Sequence, residues 1–224
     1  MTKSINTSTI KLVAFDAFDT IVHYKKDPAS HNMWAYSLLL QDLWLSTVDR
    51  KNRHTEAMIR DISFHTFAQN ITAIYNHLTP VDIATIYEKL QNELSTITQF
   101  PDTNPTIESL LTKNYETALI SNLAQPYWEA LTPLLPQIDT VAYSYKIGYK
   151  KPDKAIFEHI AKQHKIALHE ILMVGNHPLH DFAAPKSYGI QALLLDRNNT
   201  ECTIPAEQKI QTLTELVDIL PKKK

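Results

Sequence analysis

The run Leu12-Val13-Ala14-Phe15 is apolar, and an acidic residue, Asp16, follows it at once. Such a short apolar run is typical of a strand that is buried on both faces of a parallel sheet. In open α/β sheets, ligands bind beyond the carboxyl ends of the strands. A carboxylate at that place is costly to bury without a partner or a cation. The position of Asp16 therefore indicates chemistry at the end of this strand.

Further apolar runs have the same character and alternate with helical patterns in the second half of the chain. The predicted strands cover residues 11–15, 117–120, 140–143, 171–174 and 190–195. The predicted helices between the later strands cover residues 106–113, 126–135 and 154–164. Strands that alternate with helices predict an α/β fold, with a Rossmann-like parallel sheet and right-handed crossovers.

The segment from about residue 28 to 98 shows no strand pattern and repeats apolar residues at helical spacing. Its clearest helix begins at Thr79-Pro80, an N-cap followed by a proline at the first helical position. The apolar stripes of the segment include Trp34, Leu38, Leu39, Leu45, Met58, Ile62, Ile83, Ile86, Leu90 and Leu94. We therefore predict an inserted all-helical cap domain over residues 25–99, with Pro28 and Pro101 near its hinges. Residues 1–24 and 100–224 form the α/β core in this prediction.

The composition excludes several classes of partner. The 224 residues carry a formal net charge of −2, which attracts neither nucleic acid nor an anionic membrane in bulk. No apolar run approaches the ~20 residues of a membrane helix, and the polar first ten residues do not resemble a signal peptide. The one cysteine, Cys202, excludes a disulfide within the chain and is typical of a reducing compartment. We therefore expect a cytoplasmic protein that binds no nucleic acid and no membrane.

Four polar motifs follow predicted strands in a fixed order. They are Asp16, the pair Ser121-Asn122, Lys151-Pro152-Asp153 after Gly148, and the segment from Gly175 to Asp181. A parallel sheet brings these loops to one edge, because its strands all point the same way. We therefore expect a carboxylate, a hydroxyl, an ammonium group and a second acidic loop in one cleft.

Such a set of groups suits phosphoryl transfer through a covalent aspartyl intermediate. A carboxylate such as Asp16 can attack phosphorus if the phosphate does not repel its charge. A divalent cation and Lys151 would screen that repulsion and stabilise the charge that develops during transfer. Ser121 would donate a hydrogen bond to a phosphate oxygen.

The four motifs in this order, with a helical block after the first, resemble the haloacid dehalogenase-like superfamily over nearly the whole chain. The resemblance implies that Asp16 is the nucleophile, Ser121 the phosphate-binding hydroxyl and Lys151 the stabilising base. It implies phosphate-binding roles for Thr20 and Asn122 as well. The Mg²⁺ site that it implies consists of Asp16, the backbone carbonyl of Phe18, Asn176 and Asp181.

Two positions depart from the family's phosphatase pattern. Phe18 stands where a second aspartate usually serves as general acid and base, and its loss should slow the reaction by roughly 10²–10⁴-fold. Asp19 lies one residue further, and its side chain points elsewhere in an extended loop but can reach the site in a turn. Asn176 replaces an aspartate of the magnesium loop, so we expect weaker binding of Mg²⁺.

The favoured function is Mg²⁺-dependent hydrolysis of a small phosphate ester. A metal-independent 2-haloacid dehalogenase is one alternative, since dehalogenases of the superfamily carry an aromatic residue at the Phe18 position. It requires a cation in the cap for the leaving halide, for which Arg50, Arg53 and Arg60 are candidates. The other alternative is a catalytically impaired domain that binds a phosphorylated ligand or a protein.

Overall fold

The fold is built around one parallel sheet, seen in a computed structural model of the chain. The structure describes residues 4–24, 39, 46–75, 80–200 and 203–223. The sheet contains the strands β1 (Leu12–Phe15), β4 (Glu116–Ser121), β5 (Thr140–Tyr143), β6 (Ile171–Gly175), β7 (Gln191–Leu195) and β8 (Lys209–Ile210). Each of the five predicted strands is present, and none differs from its predicted bounds by more than one residue at either end. The predicted α/β class is therefore confirmed.

Strand β1 lies near the middle of the sheet, whose order is β5-β4-β1-β6-β7-β8. Every neighbouring pair is parallel, so all carboxyl ends lie along one edge. Phe15, the last residue of β1, is in register with Leu119 of β4 and Val174 of β6. Because of this register, the loops that follow β1, β4 and β6 begin side by side.

Helices pack on both faces of the sheet, and three others lie in the described part of residues 25–99. They are α1 (Thr47–Ile59), α2 (Phe64–Tyr75), α3 (Pro80–Ser95), α4 (Thr103–Thr112), α5 (Gln125–Leu131), α6 (Ser144–Ile147), α7 (Lys154–His164), α8 (Ala184–Ser187) and α9 (Glu215–Ile219). Side chains of β1 alternate between the two layers, as strand geometry requires. Val13 and Phe15 pack on the side of α4 and α9, whereas Leu12 and Ala14 pack on the side of α7.

The predicted helices of the core are present with altered ends. Helix α7 has the predicted bounds, and its N-cap Asp153 accepts a hydrogen bond from the backbone N–H of Ala155 at 2.9 Å. Helix α4 begins three residues before the predicted start, and α5 ends earlier than predicted because a 3₁₀ turn, Thr132–Leu134, follows it. These shifts do not move the loops that follow the strands.

A two-stranded antiparallel ribbon joins the core to the helical segment. It consists of β2 (Val22–Tyr24) and β3 (Ile97–Gln99), with Tyr24 opposite Ile97. The sequence patterns predict no strand in the helical segment. That prediction is wrong at the end of the segment, where β3 lies. Helices α1, α2 and α3 lie between the two ribbon strands in the chain. The predicted features at Pro28, Trp34, Leu38, Leu45 and Thr79, and the cysteine at position 202, lie outside the described residues.

No helix in the described part of the chain combines the length and the apolar character that a membrane crossing demands.

Candidate active site

Lys151 lies between two carboxylates at the carboxyl edge of the sheet. Its Nζ atom is 2.6 Å from Oδ1 of Asp16 and 2.6 Å from Oδ1 of Asp181. The Asp16 side chain is 13% exposed, whereas Lys151 and Asp181 are 2% and 1% exposed. The sequence places Asp16 and Lys151 135 residues apart, and the sheet topology brings them into contact as expected. Of these three side chains, only that of Asp16 is appreciably exposed to solvent.

Burial and neighbouring charges shift the pKa values of Asp16 and Lys151. Burial raises the pKa of Asp16 to about 6, Lys151 acts against that rise, and the negative charge of Asp181 adds to it. Burial alone would lower the pKa of Lys151, but its two carboxylate partners outweigh burial and raise that pKa. Lys151 is therefore a permanent cation at neutral pH beside a carboxylate that is ionised there. This is the charge state that a carboxylate nucleophile requires.

Asn122 holds the backbone of Lys151 in place. Its amide nitrogen donates to the carbonyl oxygen of Lys151 at 2.7 Å, and its amide oxygen accepts from the Lys151 N–H at 2.7 Å. Both ends of the side chain are therefore engaged with the protein. These bonds give the Asn122 side chain a positioning role for Lys151, and the phosphate-binding role of Asn122 stays a prediction.

Asp181 contacts both Lys151 and the loop after β6. Its Oδ1 binds Lys151, and its Oδ2 accepts a hydrogen bond from the backbone N–H of His177 at 3.0 Å. The carboxylate lies directly against Gly175, where an added Cβ would come within 2.5 Å of Oδ2. Gly175 therefore permits the close approach of Asp181, and Asp181 in turn orients Lys151. Both oxygens of Asp181 thus have partners within the protein.

Phe18 turns its ring into an aromatic cluster. The ring stacks on Tyr24 with centroids 4.8 Å apart and meets Tyr127 edge-on at 6.1 Å. The Tyr127 hydroxyl donates to Glu93 of α3 at 3.2 Å. The cluster thus links the loop after β1 with the helical segment. The side chain at position 18 packs there and takes no part in proton transfer.

Asp19 lies in a turn rather than in an extended loop. Its φ of 55° falls in the left-handed region, which aspartate tolerates better than most residues. The side chain lines a cavity of about 510 Å³ together with Asn176, Tyr24 and Arg197. Asp16 and Lys151 do not line this cavity. Asp19 and Asn176 therefore border the same cavity.

Ser121 and Thr20, two further predicted site residues, are both buried. Ser121 is the last residue of β4 and is 1% exposed. Thr20 is fully buried, and its hydroxyl has no hydrogen-bond partner in the described part of the chain. Its carbonyl accepts from Nη2 of Arg197 at 2.8 Å. No local sequence pattern marks Arg197, because its contact with Thr20 spans 177 residues.

Two of the three candidate arginines share one carboxylate partner. Glu56 of α1 binds Arg53 at 2.7 Å and Arg60 at 3.0 Å, and both arginines stay partly exposed in these ion pairs. Arg50 has no such partner among the residues that the structure describes.

Oxygen donors suitable for Mg²⁺ are few. Across the ranges that the structure describes, no cluster of three or more His, Cys, Asp or Glu side chains could hold a metal ion. Mg²⁺ needs only one or two carboxylates, because it keeps several waters and binds substrate phosphate. The Asp16 carboxylate, the Phe18 carbonyl and the Asn176 amide follow the adjacent strands β1 and β6. The sheet topology therefore brings three oxygen donors of the kind that Mg²⁺ prefers to one edge of the sheet.

Solved structures share this fold. A HAD phosphatase from Thermococcus onnurineus matches with a TM-score of 0.64 and 24% identity, covering 96% of this chain and 99% of that one. A dehalogenase solved with an intermediate complex matches with a TM-score of 0.66 and 18% identity over the same shares. A HAD family enzyme from Bacteroides thetaiotaomicron, solved with magnesium and inorganic phosphate, has a TM-score of 0.57 and 12% identity, covering 87% and 98%. At these identities, the likeness shows the fold alone.

Curated proteins match over shorter stretches. Haloacid dehalogenase-like hydrolase domain-containing protein 3 of Danio rerio is 29% identical over 122 residues, which are 52% of this chain and 50% of that protein. Glyceraldehyde 3-phosphate phosphatase of Methanothermobacter thermautotrophicus is 31% identical over 105 residues, 46% of each. The chain thus matches about half the length of these relatives.

The family model for haloacid dehalogenase-like hydrolases matches residues 10–189. That range includes the strands β1, β4 and β6. It also includes Asp16, Lys151 and Asp181, which are joined by the two ion pairs of Lys151. Since the match covers most of the sequence and the structure carries the corresponding fold, the chain belongs to the haloacid dehalogenase-like hydrolases.

Proposed function

We propose that this protein is a phosphatase that hydrolyses a small phosphorylated metabolite, with Asp16 as its nucleophile. The observation that carries the proposal is the contact of Lys151 with both Asp16 and Asp181 at the carboxyl edge of the sheet. A buried ammonium group beside a partly open carboxylate lowers the repulsion between that carboxylate and an incoming phosphate. The phosphatase names of relatives and neighbours support the same reaction.

The reaction proceeds in two displacements at phosphorus. A carboxylate oxygen of Asp16 forms a bond to phosphorus while the bond between phosphorus and the ester oxygen breaks, and the alcohol leaves with a proton taken from solvent. Water then attacks the phosphorus of the aspartyl phosphate, which releases inorganic phosphate and restores the carboxylate. Lys151 and the Ser121 hydroxyl stabilise the negative charge on the transferring oxygens. Asn122 and Asp181 position Lys151 for both steps.

Mg²⁺ would be held by the Asp16 carboxylate, the Phe18 carbonyl and the Asn176 amide. When bound, the ion supplies positive charge that attracts the phosphate and offsets the charge of the nucleophile. Asp181 acts through Lys151 rather than on the ion. Because Asn176 is neutral, we expect the affinity for Mg²⁺ to be lower than that of a site with a second free carboxylate.

The protein lacks a proton donor at position 18. General acid and base assistance is worth about 10²–10⁴-fold, so we expect slow turnover of esters with poor leaving groups. Esters with acidic leaving groups, such as p-nitrophenyl phosphate, need no proton on the departing oxygen. The ratio of rates for the two ester types therefore reports on the missing acid.

We also propose that residues 25–99 form a cap over this site. The described helices of that range emerge from the β2–β3 ribbon, and Glu93 of α3 reaches Tyr127 of the core. A cap in this place excludes water and selects the substrate.

The test is phosphate release from a panel of phosphate esters by the purified protein, with Mg²⁺ and with excess EDTA. We expect release that depends on Mg²⁺ and that Asp16→Asn abolishes. Asp218→Asn, an exposed carboxylate on α9, serves as the control and should keep full activity. Activity that survives in Asp16→Asn would exclude the nucleophile role.

Two other outcomes would assign a different function. Chloride release from 2-chloropropionate in the presence of EDTA would indicate the dehalogenase, in agreement with the aromatic residue at position 18. Tight binding of an unhydrolysed phosphate ester, with no turnover of any compound, would indicate a ligand-binding domain.

A further inference from the structure

A cavity of about 610 Å³ lies beside β5, at one edge of the sheet. Strand β5 is the outermost strand on that side, and β4 is its one neighbour among the strands that the structure describes. The cavity is lined by residues of α5, β5, α6 and α7 and by Tyr149, which follows α6, and we call it the edge pocket. None of Asp16, Lys151 and Asp181 lines it, so it is separate from the candidate active site. Volumes of about 300–1,000 Å³ are typical of sites that bind small molecules.

Aromatic rings form a large part of the wall of the edge pocket. The rings of Trp128 on α5 and Tyr143 on β5 lie 4.5 Å apart, with their planes tilted by 50°. Tyr149 adds a third ring, which is 49% exposed. Aromatic rings offer large apolar surfaces and pack favourably against other rings. This wall therefore favours a ligand that contains an aromatic ring.

Tyr143 also brings a polar group to this wall. The side chain is 3% exposed, and its hydroxyl has no hydrogen-bond partner in the described part of the chain. Burial raises the pKa of Tyr143 above its ordinary value, so the hydroxyl stays protonated at neutral pH and remains a donor. A buried donor without a partner is unfavourable. A ligand that places an acceptor atom against this hydroxyl would offset that cost.

The rim of the edge pocket carries unpaired positive charge. Lys146 of α6 and Lys162 of α7 both line the pocket and are exposed. Within the described ranges, neither lysine has a carboxylate within 4.0 Å. Glu158, the acidic residue of the lining, is already paired with Lys154 at 2.7 Å. Two cations beside aromatic surface favour an anionic ligand over a neutral or cationic one.

Helix α7 borders the pocket with a face that is not part of the hydrophobic core. Its core face is buried and includes Phe157 and Ile160. Ala155, His159 and Lys162 line the pocket, and their spacings of four and three residues place them together on another side of the helix. The pocket is therefore a feature of the surface and not a packing defect of the core.

We propose that the edge pocket binds a small molecule that carries an anionic group on an aromatic ring. The ring lies against Trp128, Tyr143 and Tyr149, and the anionic group lies within reach of Lys146 and Lys162. The site shares no lining residue with the proposed reaction centre, so this inference goes beyond the proposed phosphatase function and does not depend on it.

A second copy of the chain is the competing occupant, because an outermost strand offers its free edge to the same strand of another molecule. A symmetric pair of this kind brings the same patch of both copies together. Lys146 and Lys162 would then meet the like charges of the partner copy, and lysines at a sheet edge oppose such pairing. The charge of the rim thus favours the small anion.

The test is calorimetric titration of the purified protein, in the presence of EDTA, with three probes that contain no phosphate. They are 2-naphthoate, 2-naphthylmethylamine, which has the same ring and the opposite charge, and decahydro-2-naphthoate, which has the same charge and a saturated ring. We expect 2-naphthoate to bind at least tenfold more tightly than the amine and several-fold more tightly than the saturated acid. Equal affinity for all three probes, or no binding of 2-naphthoate, would overturn the proposal.

Variants locate the binding in the edge pocket. Lys162→Met should lower the affinity for 2-naphthoate by about tenfold and should not weaken binding of the amine, because it removes one positive charge of the rim. Tyr149→Ala should lower the affinity for both naphthyl probes, because it removes one ring of the wall. Both side chains are exposed, so neither replacement endangers the fold. Lys89→Met, which removes an exposed lysine of α3, is the matched control and should bind 2-naphthoate as the wild type does.

Two further results would contradict the edge pocket as a ligand site. If both pocket variants keep the affinity of the wild type, 2-naphthoate binds elsewhere. If sedimentation shows a wild-type dimer that Tyr149→Ala dissociates, a second copy covers the pocket. We expect instead that Tyr149→Ala leaves the sedimentation coefficient unchanged. None of these measurements uses phosphatase activity, so their failure leaves the proposed function untouched.

Discussion

Asp16 is subject to opposing electrostatic influences at the level of the single residue. Burial makes its ionised form unfavourable, and the neighbouring Asp181 carboxylate adds repulsion, while Lys151 offsets part of both. The residue is therefore kept ionised at neutral pH at a cost in stability. Active-site groups are commonly held in such unfavourable states, because reactivity and stability make different demands on one side chain.

This cost predicts a pH-dependent difference between the wild type and Asp16→Asn in metal-free buffer. The folded pKa of about 6 lies above 3.8, the ordinary value of an aspartate in an unfolded chain. The contribution of Asp16 to stability is therefore full below about pH 4 and is lost as the pH rises through about 6. We expect the free energy of unfolding of the wild type, relative to Asp16→Asn, to fall by roughly 2–3 kcal/mol over that interval.

Urea denaturation at several pH values in the presence of EDTA measures this difference. Asp218→Asn, which removes an exposed carboxylate, should show no comparable trend. A wild type and an Asp16→Asn variant whose stabilities run parallel across the pH range would contradict the raised pKa.

At the scale of elements, the loops at the carboxyl edge are held to one another by side chains from outside the site. Arg197, in the loop after β7, binds Asp102 through two hydrogen bonds of 2.8 and 2.9 Å. It also donates to the carbonyl oxygen of Thr20 and lies over the Phe100 ring at 3.9 Å. One guanidinium group thus joins the loop after β1, the start of α4 and the loop after β7.

Arg197→Met should therefore lower the free energy of unfolding by about 2–3 kcal/mol, since it leaves the Asp102 carboxylate and the Thr20 carbonyl without this donor. Arg60→Met is the matched control, because the Arg60 side chain is 64% exposed in its ion pair with Glu56. We expect that control to change stability by no more than about 0.5 kcal/mol. Urea denaturation measures the free energy of unfolding of both variants. Equal losses would show that the contacts of Arg197 stabilise the protein no more than an exposed ion pair does.

At the scale of the whole molecule, one apolar cluster extends from the sheet into the helical segment. It contains Phe15 and Leu119 of the sheet together with Phe64, Phe67 and Leu90 of helices α2 and α3. A continuous cluster couples the two parts, because neither can open without exposing the apolar surface of the other. The proposed cap and the core are therefore expected to unfold together.

Calorimetry of the wild type should show one unfolding transition. Phe67→Ala removes a ring that is 1% exposed, which costs about 3–5 kcal/mol and lowers the Tm of the single transition by roughly 10 °C. Ile74→Ala, on the same helix but 56% exposed, should have little effect. Two transitions, of which only one responds to Phe67→Ala, would show that the helical segment unfolds independently.

The sequence by itself determined the strands of the sheet and the residues that end them. Apolar runs such as Leu12–Phe15 and Ile171–Val174 are local patterns, and the polar residue after each run marks the carboxyl edge. The order of four motifs was also sufficient for the family. The sequence did not predict the ribbon strand β3. A strand of three residues is too short to show an alternating pattern, and its partner β2 lies on the other side of the helical segment in the chain.

Only the tertiary structure decided what each polar residue contacts. Asn122 holds the Lys151 backbone across 29 residues, and Asp181 reaches the Lys151 ammonium group across 30. These contacts depend on the register of the parallel strands and on the space above Gly175, neither of which is encoded by local spacing. Periodicity reports which face of an element is buried, whereas partners at a site are chosen by the packing of elements that lie far apart in the chain.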